Sequence, residues 1–148
     1  NPNFNPNAVI DIFDFSTANK QLIVFGDRTN DVLYFSSDEA STFMTLSVPF
    51  NISDIAFYPN STILYVLDRN THKLWRGHFG GKFTALLNNV YYYRAGTTAD
   101  EIKQHIIYFI EFDSTTSTSR LYSISLDAND ESNKMEYDPN LSDFIPTS

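Results

Sequence analysis

Apolar and polar positions alternate along this chain in short runs separated by Asn, Asp, Gly, Ser and Pro. The first group of runs is VIDIFDF (Val9–Phe15), QLIVFGD (Gln21–Asp27), DVLYFSS (Asp31–Ser37) and TFMTLSV (Thr42–Val48). A second group follows with SDIAFYP, TILYVLD, KLWRG and KFTALLN, and a third with VYYYRAG, HIIYFIEF and RLYSISL. A period near two, bounded by turn residues and rich in Ile, Val, Thr, Tyr and Phe, predicts β-strands. Many short strands in sequence predict an all-β antiparallel protein. Sustained helical periodicity is missing. TADEIKQHI (Thr98–Ile106) comes nearest and is short.

The groups repeat one another. LIVFGDRTNDVLYFS (Leu22–Ser36) lies over ILYVLDRNTHKLWR (Ile63–Arg76), with Asp27-Arg28 on Asp68-Arg69 at an offset of 41 and Leu33-Tyr34 on Leu74-Trp75. Upstream, Asp11-Ile12 pairs with Asp54-Ile55 if the first copy has a loop two residues longer. Downstream, Thr42-Phe43 meets Lys82-Phe83 after a one-residue slip, and Leu121-Tyr122 resembles Leu33-Tyr34 as a weaker third copy. Four strands in roughly 40 residues is the size of a β-propeller blade. The expected organisation is a polar linker over 1–8 and a partial propeller over 9–148, with blades of roughly 9–50, 51–90 and 91–148. The competing reading is a sandwich of three unrelated hairpin pairs.

The segment SSDEASTF (Ser36–Phe43) falls between the third and fourth strands of the first copy. An aspartate there suits a turn, because its carboxylate accepts from N–H groups two or three residues on. The segment resembles the Asp-box, S/T-x-D-x-G-x-T-W/F, a hairpin motif of sialidases, some glycosidases and sortilin-type receptors. Ser36, Asp38, Thr42 and Phe43 match, and Ala40 replaces the glycine, a substitution that disfavours a left-handed turn residue. In the second copy, RGHFGGKF, Arg76 and His78 stand at the Ser and Asp places while Gly80 and Phe83 fit. An aspartate absent from one copy serves no chemistry common to both, so Asp38 reads as a turn-former. Trp75, next to Leu74 and before a glycine-rich turn, reads as core, with Tyr34 as its counterpart.

Taken together, LYFSSDEASTF, ILYVLD and KLWRGHFGGKF resemble blades of the sortilin family, the vacuolar-protein-sorting receptor propellers. The resemblance spans roughly Leu22 to Leu126. It implies a segment of a ten-bladed propeller in a membrane-anchored, lumenal or extracellular receptor of the secretory and endosomal pathway. Such a segment binds peptides, propeptides or protein cargo in the propeller tunnel, without catalysis or cofactor. Two departures stand out: family propellers carry disulfides and ten blades, whereas this chain has no cysteine and about three repeats.

Composition narrows the alternatives. A net charge of −8 disfavours nucleic acid and anionic membrane surfaces as partners. No apolar run approaches the ~18 residues of a membrane span. The three histidines, His72, His78 and His105, lack metal-ligand spacing. No G-x-S-x-G is present, and GHFGGK lacks the phosphate-loop spacing. An Asp-box carbohydrate-active enzyme remains the alternative. A sialidase would need its arginine cluster from Arg28, Arg69, Arg76, Arg94 and Arg120, none of which sits in an Arg-Ile-Pro setting. A glycosidase would need two convergent carboxylates, and no pair stands out. A structural extracellular subunit is the third reading. Asn51, Asn60 and Asn140 head glycosylation sequons, although roughly three would arise by chance at this composition. Asn60, in a YPNST turn, is the best placed of them. Three blades cannot close a ring, so the remaining blades are expected from the parent chain or from other chains.

Overall fold

The computed structural model describes residues 7, 10–125 and 135–138. They form twelve strands and one short helix. Strands β1 (Ile10–Phe15), β2 (Ile23–Asp27), β3 (Val32–Ser36) and β4 (Met44–Ser47) make the first sheet. The second comprises β5 (Asp54–Phe57), β6 (Ile63–Asp68), β7 (Lys73–His78) and β8 (Phe83–Leu87). The third comprises β9 (Val90–Ala95), β10 (Ile106–Asp113), β11 (Thr118–Ser125) and β12 (Met135–Asp138). Each sheet is an antiparallel meander in chain order, and none closes on itself. The third sheet begins at Val90, one residue inside the expected second unit. The helix α1 (Ala99–Lys103) links β9 to β10 and carries a capping box, in which Thr98 and Glu101 satisfy each other's backbone N–H groups.

Strand register explains how the sheets stack. On β5–β8, Ile55, Val66 and Trp75 share one face, as do Phe57 and Leu64 beside them. Val24, Leu33 and Phe35 of the first sheet pack against that face, forming one core cluster. Leu67, Leu74 and Leu87 point to the opposite face, where Ile107, Phe109 and Ile124 of the third sheet pack. The second sheet is therefore covered on both sides, which accounts for the nearly continuous apolar run of Ile63–Leu67. Phe50 and Ile52, in the connection from β4 to β5, add to the first cluster, and Phe50 stacks on Trp75 at 4.7 Å.

The repeat is visible in the turns. Asp27 and Asp68 close the β2–β3 and β6–β7 hairpins, and the fourth loop residues, Asp31 and His72, take φ values of 54° and 57°. Each of those residues also receives the chain on its way to the next sheet: Val48 N–H donates to Asp31 O (3.0 Å) and Val90 N–H to His72 O (2.7 Å). The third sheet has the same hairpin from Asp113 to Ser117, with Ser117 at φ 54°. Two alignments change accordingly. Ser119, fully buried, occupies the position of Leu33 and Leu74, so Leu121-Tyr122 lies two residues beyond Leu33-Tyr34. On β1 a bulge between Ile10 and Ile12 shifts the register, so Ile12-Phe13, rather than Asp11-Ile12, corresponds to Asp54-Ile55.

Candidate binding cleft

The Asp38 turn is built by side chains. Ser36 Oγ donates to Asp38 Oδ1 (2.8 Å) and itself accepts from the N–H of Ala40 (2.8 Å). Thr42 donates its N–H to Asp38 Oδ1 (2.8 Å) and its hydroxyl to Oδ2 (2.5 Å). The Thr42 hydroxyl, then its N–H, then Ser36 hold the Asp38 carboxyl down at about 2. Glu39 and Ala40 take φ values of 57° and 70°. The left-handed turn thus forms without glycine, at a conformational cost to both residues. Phe43 is half-buried and packs its ring on Phe25 at 5.5 Å.

The second copy keeps the turn and loses the carboxylate. Gly80 sits at φ 74°, and Gly81 N–H donates to His78 O (2.8 Å), as Ser41 N–H does to Asp38 O (3.2 Å). His78 therefore stands in Asp38's place, whereas Gly77, not Arg76, holds the strand position of Ser36. Phe83 packs edge-on against Phe50. Trp75 is half-buried within the first cluster, and its indole Nε1 is buried without a hydrogen-bond partner. Asn60 is exposed at a turn with φ 55°; its N–H donates to Thr17 Oγ1 (2.7 Å). Asn51 is exposed as well. Asn140 lies outside the described residues.

The strand that opens each meander defines a different kind of site. β1 lies against β5, and Phe57 N–H donates across that junction to Asp14 Oδ2 (2.8 Å). Between β5 and β9 the stack opens into a cleft of about 320 Å³, whose lining includes Asp54, Ala56, Tyr58, Tyr65, Tyr93 and Arg94. Tyr58 fixes one wall, since its hydroxyl donates to Ile106 O (2.8 Å), with Glu101 O as the alternative acceptor at 3.2 Å, while His105 stacks on its ring. Burial, reinforced by Asp54 and then Asp14, pushes the Tyr93 phenol far above its ordinary value. Tyr93 therefore stays a neutral hydroxyl. Asp54 pairs with Arg69 at 3.3 Å and also accepts from Leu67 N–H (3.4 Å).

The cleft thus offers aromatic walls, a neutral phenol and charges of both signs, a set suited to holding a mixed apolar and polar group. The carboxylates of Asp54, in its lining, and of Asp14, on the adjoining strand β1, accept from backbone N–H groups of the second sheet. Among the described residues, no group of three or more His, Asp or Glu side chains converges in a way that could hold a metal ion. No helix there is long and apolar enough to cross a membrane. The sequence reading did not single out the cleft. VYYYRA gives tyrosines on both faces of one strand, and alternation alone does not say which face meets a neighbouring sheet. No protein-family model and no curated protein matches this chain.

Proposed function

We propose that the chain is a non-catalytic binding segment: three blades of a sortilin-type β-propeller whose inner-strand clefts capture a peptide or an exposed segment of a protein. The remaining blades come from the parent polypeptide or from other chains. The observation that supports this reading most is the cleft between β5 and β9, where aromatic side chains and paired charges meet at the strands that open successive meanders. The Asp38 turn favours the same family of folds, with its carboxylate committed to Thr42 and Ser36 rather than to a substrate. A lumenal or extracellular location follows from this assignment, and Asn60 is the position where a glycan would report it.

The test pairs two assays on the same preparation. A random unstructured peptide library is panned against the chain, and the selected peptides are titrated by calorimetry against the chain and against Tyr93→Ala. A panel of fluorogenic sialosides and glycosides is assayed in parallel. Saturable peptide binding, weakened at least tenfold by Tyr93→Ala and without glycoside turnover, supports the reading. Turnover that scales with protein and disappears with a carboxylate substitution would replace it with an Asp-box hydrolase.

A further inference from the structure

The two junctions between stacked sheets differ at their hairpin ends. At the first junction the chain takes a detour after β4. Val48 N–H bonds to Asp31 O, but β5 starts only at Asp54, and residues 49–53 lie between. Phe50 and Ile52 of that detour are 5% and 3% exposed and plug the space between the sheets. Phe50 stacks on Trp75 at 4.7 Å, and Ile52 lies so close over Gly26 that a Cβ there would meet its Cγ2 at 2.9 Å. At the second junction Val90 makes the equivalent bond, to His72 O, and itself opens β9. Nothing corresponds to residues 49–53. In place of a plug, a cleft of about 410 Å³ opens against β10, β11 and Asn89.

The residues facing that space have changed in step. Register places Glu111 at the position of Val66 and Arg120 at that of Trp75, and each pair stands directly cross-strand. Val66 is fully buried and Trp75 carries the Phe50 ring, whereas Arg120 is exposed. Nearer the hairpin tip, the hydroxyls of Thr116 and Thr118 bond to each other at 2.7 Å. Asp113 Oδ1 accepts from Thr115 N–H at 2.9 Å, which fixes its carboxylate at the rim. Tyr122 supplies an apolar wall, its ring stacked on the buried Phe109 at 5.6 Å. Loss of the plug by itself would have bared apolar side chains; instead its contact positions have become polar.

We infer that this cleft binds an uncharged saccharide. It presents two carboxylates, a guanidinium, an amide and two hydroxyls, so a fitting ligand both donates and accepts hydrogen bonds at adjacent positions. Sugar hydroxyls do both, and the C–H face of a pyranose ring suits the face of Tyr122. The volume is that of a small-molecule site. Two carboxylates against one guanidinium disfavour an anionic ligand such as a phosphate or a sialic acid. An extended peptide would add to a free strand edge, but β10 and β11 each have a neighbouring strand on both sides. The cleft shares no lining residue with the one beside Tyr93. It depends neither on the receptor reading nor on the size of the ring.

The test begins by applying the purified protein to an array of neutral and sialylated oligosaccharides. The neutral glycan retained best is then titrated by calorimetry against the protein and against Glu111→Gln and Arg120→Gln. Both residues lie outside the two core clusters, and far-ultraviolet circular dichroism checks that each variant keeps its sheets. The expected result is saturable binding, weakened roughly tenfold to a hundredfold by either substitution. The same glycan should shield Arg120 from phenylglyoxal, read by peptide mass mapping, a measurement that needs no variant. An array that retains no neutral glycan overturns the inference, and so does a preference for sialylated ones. Binding that either substitution leaves unchanged, or phenylglyoxal reaction at Arg120 that the glycan does not slow, overturns it as well.

Discussion

Asp27 and Asp68 lie 41 residues apart, are both buried, and perform the same task at the tips of equivalent hairpins. Asp27 Oδ1 accepts from the N–H groups of Thr29 (2.9 Å) and Asn30 (3.3 Å); Asp68 Oδ1 accepts from those of Asn70 (3.0 Å) and Thr71 (3.4 Å). The second oxygen of each takes a side chain three residues on, Asn30 Nδ2 or Thr71 Oγ1, at 2.8 Å. These aspartates shape the fold more directly than Asp38 does.

Removing one should be costly. Asp68→Ala strands the N–H groups of Asn70 and Thr71 and the Thr71 hydroxyl, and should destabilise the chain by about 1–3 kcal/mol. Chemical denaturation measures this as a lower midpoint with an unchanged slope. A loss within experimental error would mean that the hairpin does not need its carboxylate.

Ala40→Gly should stabilise. Ala40 adopts φ 70°, and an alanine in the left-handed region costs about 1–2 kcal/mol, of which the greater unfolded-state freedom of glycine returns roughly 0.5–1. The expected gain is about 0.5–1 kcal/mol, seen as a higher melting temperature. A lower melting temperature would contradict the turn geometry.

Much of this was legible in advance. Eleven of the twelve strands, their antiparallel grouping and the Asp38 hairpin follow from period-two alternation and from the Ser-x-Asp-x-x-x-Thr spacing, because both are local; β12 was not among the runs the pattern marked. The 41-residue offset also carried over to the equivalent strand positions Leu33 and Leu74, and Tyr34 and Trp75. The third repeat was harder to recognise. Its hairpin, DSTTS, keeps the aspartate but replaces Leu33 with Ser119, and apolar matching therefore slid two residues to Leu121. A two-residue slip preserves strand facing, so alternation could not reveal it. The one-residue shift on β1 has a different origin, a bulge between Ile10 and Ile12 that adds a residue to the strand and breaks its alternation locally. The cleft depends on how one sheet sits on another, which no single strand encodes.

Acid should weaken the protein through its turns. Asp38 is held at about 2 by Thr42 and Ser36, and Glu101 at about 2 by the Tyr108 hydroxyl and then Thr98; Asp113 is lowered by the Thr115 N–H. A lowered carboxyl contributes stability above its unfolded value, near 4, and loses it as pH falls towards the folded value. The melting temperature should therefore decline between about pH 4 and pH 2. Replacing Asp38 with Asn should flatten that decline, and an equally steep decline in the variant would remove Asp38 from the account.

Trp75 is the single tryptophan, stacked on Phe50 with its indole nitrogen buried. Its emission should be blue-shifted relative to free tryptophan and poorly quenched by iodide. Unfolding should red-shift it in the same transition that circular dichroism follows. Emission at the position of free tryptophan would contradict the packing of the first sheet on the second.

The central claim is that these three stacked sheets are consecutive blades of a larger ring. Electron microscopy of the protein as purified from its natural source tests this most directly. The account predicts closed rings of more than three radial sheets around a central channel, into which the cleft beside Tyr93 faces. Particles no larger than a single three-sheet stack, with Phe13 and Phe15 facing solvent, would contradict it.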